Sequence, residues 1–369
     1  MTGLSVNFLG IDRCFAEHQE NLCSIYKDIG STGQVVGGSH VSLFEENCGQ
    51  IANRNYSVSV ANASDGLYLA LLASGIGPGN EVLTTAYSFF ATAESISRTG
   101  ATPIFVDVDD HYHLDLNKAK DKISPRTCAI VVVNLFGNCM DFDEVTAFAK
   151  ENNLMLFEDA AQSLFSKWKN TPSGNLGVAS VYSFAPSKNI PGFSHGGCVV
   201  TDNEELAQQI RILKLHGKVN GQHIAIGYNS IMSSFEAAQI NYFLNFADVW
   251  QNRRTQIADY YISELNGLVT LPTTRNGATH SWHKFVIACG ARNNIRKKLL
   301  EHGVETGVHY TTIIPHEPIY QEQRFKTFNN TRSYPKAEAL ANSSLSLPIY
   351  PELTDIEVEY IVKCLRTSL

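Results

Sequence analysis

The chain has 369 residues, 44% of them hydrophobic, enough to bury a sizeable core in two domains or in one large domain with an appendage. A net charge of −7 and a pI near 5.9 argue against a general nucleic-acid binder, which needs a basic face to meet phosphate. The chain shows no basic N-terminal segment leading into an apolar run and no apolar stretch of membrane-spanning length, so a cytoplasmic protein with no membrane partner is expected. The eight cysteines stand singly, with no CxxC pair and no zinc-like histidine spacing, and read as buried thiols without a metal.

Between residues 56 and 201 short β-branched runs alternate with amphipathic stretches. In chain order, strands are predicted at YSVSV (56–60), EVLTT (81–85), PIFVDVD (103–109), CAIVVVN (128–134), LMLFED (154–159), SVYSF (180–184) and GCVVT (197–201). Helices are predicted at DGLYLALLASG (65–75) and DEVTAFAKENN (143–153). A run that is apolar at consecutive positions, such as CAIVVVN, belongs in a sheet covered on both faces, which predicts an α/β domain built on a mostly parallel sheet. Loops that follow such strands meet at the carboxyl edge, which brings ANASDG, AYSFFAT and EDAAQS to one crevice. From about residue 246 the pattern changes to a long helix, FADVWQNRRTQIADYYISELN, and it ends in another, DIEVEYIVKCLRTSL. This predicts a small α+β domain over 246–369 beside a large domain over 1–245, with no flexible linker between them.

Lys188 lies in VYSFAPSKNIPGFSHGG (181–197), just after a strand and among Asn, Pro, Gly, Ser and His. Most lysines are solvated surface groups. A lysine held in such a loop and partly desolvated can instead lose its proton and act as nucleophile or base, which suits a Schiff base. A pyridoxal cofactor on that lysine needs a carboxylate at its pyridine nitrogen, a phosphate cup and a stacking group. Asp159 ends an apolar strand, where a carboxylate needs a partner such as a pyridinium or serves as a helix N-cap. The segment from Asn62 to Gly66 precedes an apolar helix, so its N–H groups and the Ser64 hydroxyl either hold a phosphate or cap the helix. Ser183 offers a second hydroxyl or is an ordinary strand serine. Phe89 stacks on a ring or packs in the core.

These segments, together with NLFGNCMDFDEV, HGGCVVTD, GYNSIMSSFEAAQ and LSLPIYPELTDIEVEYIV, run in order along nearly the whole chain. They resemble the DegT/DnrJ/EryC1/StrS family of nucleotide-sugar aminotransferases, pyridoxal-phosphate enzymes of fold type I. The combination of EDAAQ with SFAPSKN is the most specific part of the likeness. The resemblance implies that pyridoxal 5′-phosphate is bound to Lys188, that Asp159 pairs with the pyridine nitrogen and that Gln162 lies near the phenolic oxygen. It implies further that Phe89 stacks on the ring and that Ala63, Ser64 and Ser183 hold the phosphate. Asn229 of GYN is implied to reach the phosphate from the other subunit, which makes a homodimer with shared active sites.

The implied reaction moves an amino group from L-glutamate, which leaves as 2-oxoglutarate, to the 3-keto or 4-keto group of a dTDP- or UDP-linked 6-deoxysugar. The aminosugar product would serve polysaccharide, lipopolysaccharide or natural-product glycans. His309, Tyr310 and His316 of GVHYTTIIPHEPIY are expected either to contact substrate or to form a polar loop between the domains. Trp282 and His283 are expected to support a small-domain strand. Two positions depart from the family pattern: His195 stands where an acidic residue is usual, and Ile231 where an arginine is common. A dehydratase branch of the family carries histidine in place of the lysine, and Lys188 speaks against it. Another pyridoxal-dependent lyase and a non-catalytic sensor of the same fold are the rival readings.

Overall fold

Seven runs rich in β-branched residues pair into one sheet in the computed structural model, which describes residues 4–325 and 333–369. They are β1 (Tyr56–Val60), β2 (Glu81–Thr85), β3 (Thr102–Val106), β4 (Thr127–Val133), β5 (Met155–Asp159), β6 (Ala179–Ser183) and β7 (Gly197–Thr201). Their order across the sheet is β1-β7-β6-β5-β4-β2-β3. Every neighbouring pair is parallel except the two made by β7, which runs against both β1 and β6. The sheet is therefore mixed and mostly parallel.

Side chains alternate across a strand, so consecutive apolar residues feed two cores. On one face Val58, Val131, Phe157 and Val199 pack with Leu69 of helix α3 (Ala63–Ala73), which follows α1 (Ile11–Thr32) and α2 (Ser39–Ala52) in the chain, and with Ile210 of the helix Glu204–Leu213. On the other, Ile104, Ile130 and Leu156 meet Val145 and Phe148 of the helix Phe142–Glu151. Tyr182, Cys198 and Val200 meet Phe44, Ala237 and Ile240 from the helices Ser39–Ala52 and Ser234–Leu244. All but two of the cysteines are buried: Cys23 is exposed and Cys128 is half-buried, and both depart from the expected buried thiol.

The C-terminal part holds an antiparallel pair, β8 (Phe285–Ala288) and β9 (Ser344–Leu347), under the helices Ala247–Leu265, Arg292–Glu301 and Asp355–Ser368. The last helix opens on a capping box in which Thr354 and Glu357 satisfy each other's backbone N–H groups. Val6 packs in this same core and bridges to Val304, so the first described residues join the C-terminal packing rather than the sheet. A further cluster joins Tyr87, Phe105 and Phe136 to Val286, Ile313 and Ile314, which fastens the two parts over the carboxyl edge of the sheet. Among the described residues no helix is long and apolar enough to cross a membrane. No group of three His, Cys, Asp or Glu is placed there to hold a metal.

Candidate active site

A cavity of about 680 Å³ lies at that carboxyl edge, between the sheet and the C-terminal part. Register explains why its chemistry converges. Asp159, the last residue of β5, lies opposite Val133 and Val181, and Ser183, the last of β6, lies opposite Gly197. Gly197 also faces Val60, the last residue of β1, beside the start of α3. Asp159, Ser183, Ala63 and Ser64 accordingly line one cavity, which Lys188 and Phe89 also line.

The loop that carries Lys188 is held from three sides. Asn189 donates to the Ser281 carbonyl at 2.8 Å and meets His283 Nδ1 at 3.3 Å. Gly192 N–H donates to the Phe184 carbonyl at 2.6 Å, and Ser194 N–H donates to the Glu236 carboxylate at 3.1 Å. Burial lowers the Lys188 ammonium from its ordinary value to about 8, while the negative charge of Asp159 pulls the other way. A usable fraction of free amine thus exists near neutral pH.

Burial raises the pKa of Asp159, and hydrogen bonds from Thr92 Oγ1 (2.7 Å) and Ala161 N–H (3.1 Å) work against that rise. Each donor takes one carboxylate oxygen, which leaves lone pairs for a cation in the cavity. Asp159 is not a cap for a following α-helix, because the chain turns after β5 rather than entering one. The cap of α3 is the Asn62 side chain, which accepts from Asp65 N–H at 2.8 Å. Ser64 is therefore not the cap. Its hydroxyl, and the N–H groups of Ala63 and Ser64, are available to an anion. Gly197 lets the sheet approach that helix start: a Cβ there would lie 2.5 Å from the Asn62 carbonyl carbon and 2.7 Å from Ala63 N.

Gln162 spans the cavity wall, its Oε1 accepting from Phe136 N–H at 2.9 Å and its Nε2 donating to Tyr310 Oη at 3.1 Å. Phe89 is 56% exposed and its ring centroid lies 6.2 Å from that of Tyr310. His309 lines the cavity too, with Nδ1 2.8 Å from Ser346 Oγ, and burial lowers its pKa to about 3. His316 is not brought there; it is exposed and lies 3.5 Å from the Glu338 carboxylate. Asn229 is also outside the cavity, exposed, with its backbone bridged to Leu215. His195 lines the cavity as an exposed side chain. Ile231 does not line it.

Sequence reasoning missed several groups of the site. Thr92, the donor to Asp159, is one hydroxyl among several in AYSFFATAES. His283, expected only to support a strand, both lines the cavity and touches the residue after Lys188. Lys284 and Phe8 come from the C-terminal part and the chain start, and nothing in their local sequence marks them.

A reactive lysine facing a carboxylate beneath an open helix N-terminus, at the edge of a mixed α/β sheet, is the constellation of an enzyme that works on carbonyl groups through a phosphorylated pyridoxal. The chain belongs to the DegT/DnrJ/EryC1/StrS aminotransferase family, which matches residues 17–366. It is 33% identical over 369 residues to the erythromycin biosynthesis sensory transduction protein EryC1 of Saccharopolyspora erythraea, covering 99% of this chain and 100% of that one. It is 31% identical to the dTDP-3-amino-3,4,6-trideoxy-alpha-D-glucose transaminase of Streptomyces venezuelae, over 98% of this chain and 95% of that one. Its fold matches S. venezuelae DesV, solved in complex with a ketimine intermediate, with a TM-score of 0.94, 31% identity and 98% of both chains covered. It matches NtdA of Bacillus subtilis, solved with bound cofactor PMP, with a TM-score of 0.89 at 27% identity, covering 99% of this chain and 85% of that one.

Proposed function

We propose that this chain binds pyridoxal 5′-phosphate on Lys188 and transfers an amino group from L-glutamate to a keto group of a dTDP- or UDP-linked deoxysugar. The observation that carries the reading is the sharing of one cavity by Lys188, Asp159 and the start of α3. The residues fit the cofactor. Asp159 is a carboxylate with lone pairs left for a ring N–H, and Ala63, Ser64 and Ser183 offer donors for a phosphate. When bound, the cofactor supplies the carbonyl that takes up the amino group and the electron sink that loosens the donor's α-proton.

The protein residues do the rest. Lys188 would anchor the cofactor, and its free amine would move the proton at the donor's Cα; an amine of pKa about 8 gives and takes protons readily at neutral pH. Asp159 holds a proton on the ring nitrogen, with Thr92 and Ala161 N–H fixing its orientation. Tyr310, steadied by Gln162, and His309, steadied by Ser346, present polar groups to the sugar. Amination at C3 is favoured, since the S. venezuelae transaminase relative carries a 3-amino group in its name. Asn229 lies outside its own chain's cavity, which favours its completing the phosphate cup of a second subunit in a homodimer.

The test is a spectroscopic half-reaction. The holoenzyme, yellow from cofactor on Lys188, is expected to bleach with stoichiometric L-glutamate and to release 2-oxoglutarate. Colour that survives excess glutamate would sink the donor assignment.

A further inference from the structure

Lys284 is the second lysine of the cavity. It is 6% exposed and lines the cavity together with Phe8, Lys188, His283 and His309. Its ammonium lies over the Phe8 ring, 4.9 Å from the centroid. Among the described residues its Nζ makes no hydrogen bond and no ion pair, although buried ammonium groups ordinarily have both. The surrounding charges deepen the problem. Lys188 and Arg254 repel it, and Asp159, whose charge acts on Lys188, is committed to the ring nitrogen under the function proposed above. Arg254 cannot be satisfied at its expense, since Arg254 donates to the carbonyls of Ile349 and Trp282.

We propose that Lys284 is the seat for a carboxylate of the amino donor, an inference that rests on the aminotransferase reading. Depth selects this ligand. A donor amino acid reacts at the carbon bonded to its α-carboxylate, so it carries an anion right beside Lys188. The diphosphate of a nucleotide sugar is separated from the keto carbon by the sugar ring, and it belongs nearer the open mouth. The seat must also tolerate the second substrate, which brings no anion to that place. Burial lowers the Lys284 ammonium to about 7, so it is charged when a carboxylate is present and sheds its proton readily when a neutral sugar replaces it.

The test measures binding of glutarate, a dicarboxylate that cannot react, to the holoenzyme by calorimetry, with dTDP as the comparison ligand. Lys284→Met keeps an unbranched side chain, one atom shorter, and removes the charge, and Lys284→Arg keeps the charge. Lys284→Met is expected to weaken glutarate at least tenfold, to leave dTDP within about twofold and to leave the thermal midpoint undiminished. Lys284→Arg is expected to stay within about threefold for glutarate. Unchanged glutarate affinity in Lys284→Met, no glutarate binding by the wild type, or loss of dTDP in place of glutarate would overturn the assignment. Conversion of glutamate by the wild type is scored separately. Its failure would count against the aminotransferase reading, while the glutarate comparison still decides the role of Lys284.

Discussion

Glu158 and Asp159 are neighbours at the end of β5, and the alternation of a strand sends them to different fates. Glu158 is fully buried and receives hydrogen bonds from Asn134, Ser173, Gly174 and Ser180, a closed set. Among the described residues Asp159 receives only two, and it faces the cavity. The pair separates structure from chemistry. Glu158→Gln turns an amide NH₂ toward donors and should cost about 2–3 kcal/mol in urea unfolding with cofactor binding retained. Asp159→Asn should keep the fold and the cofactor, yet slow the glutamate half-reaction by about a hundredfold or more, since an amide cannot hold a proton on the ring nitrogen. A near-normal rate for Asp159→Asn would reduce the residue to a turn former. Lys188 gives a pH test. The amine is the nucleophile and exists above its pKa, so cofactor-free protein should capture pyridoxal phosphate faster as pH rises through about 8. A midpoint near the ordinary lysine value, followed by visible absorbance, would contradict the desolvation argument.

At the scale of elements, β7 decides the geometry of the anion cradle. It lies between β1 and β6 and starts at Gly197, against the first turn of α3. Gly197→Ala should push back Asn62 and Ala63, weaken pyridoxal phosphate binding more than tenfold and cost about 1–3 kcal/mol of stability. Cofactor titration and thermal unfolding check both figures, and unchanged affinity would show that the cradle tolerates the shift. The direction of β7 was not legible in GCVVT. Apolar periodicity reports which faces are buried, and β7 is buried on both, but it carries no sign for parallel or antiparallel. The sheet itself was legible for the same reason: CAIVVVN and EVLTT are apolar or β-branched on both faces, and only a doubly covered sheet accepts that.

Across the whole molecule, the parts of the site that were legible lie on one strand-loop edge, and those that were not arrive from elsewhere in the chain. Lys284 precedes the strand β8, and nothing in its local sequence marks it; its ammonium meets Phe8, which returns from the chain start. Among the described residues the Asn229 side chain makes no hydrogen bond, and its proposed task depends on a second copy. Mixing Lys188→Ala with Asn229→Ala subunits should recover activity, because each heterodimer collects both lesions in one site and leaves the other intact. No recovery, with heterodimers present, would refute the shared site. The central claim is amino transfer itself, and the most direct measurement supplies the holoenzyme with [¹⁵N]glutamate and dTDP- or UDP-linked 3-keto and 4-keto sugars, then reads the product by NMR and mass spectrometry. Amino transfer predicts ¹⁵N bonded to the sugar ring, at C3, with one 2-oxoglutarate formed per aminosugar. Label that stays in glutamate or is released as ammonia, with the sugar dehydrated or unchanged, would contradict it.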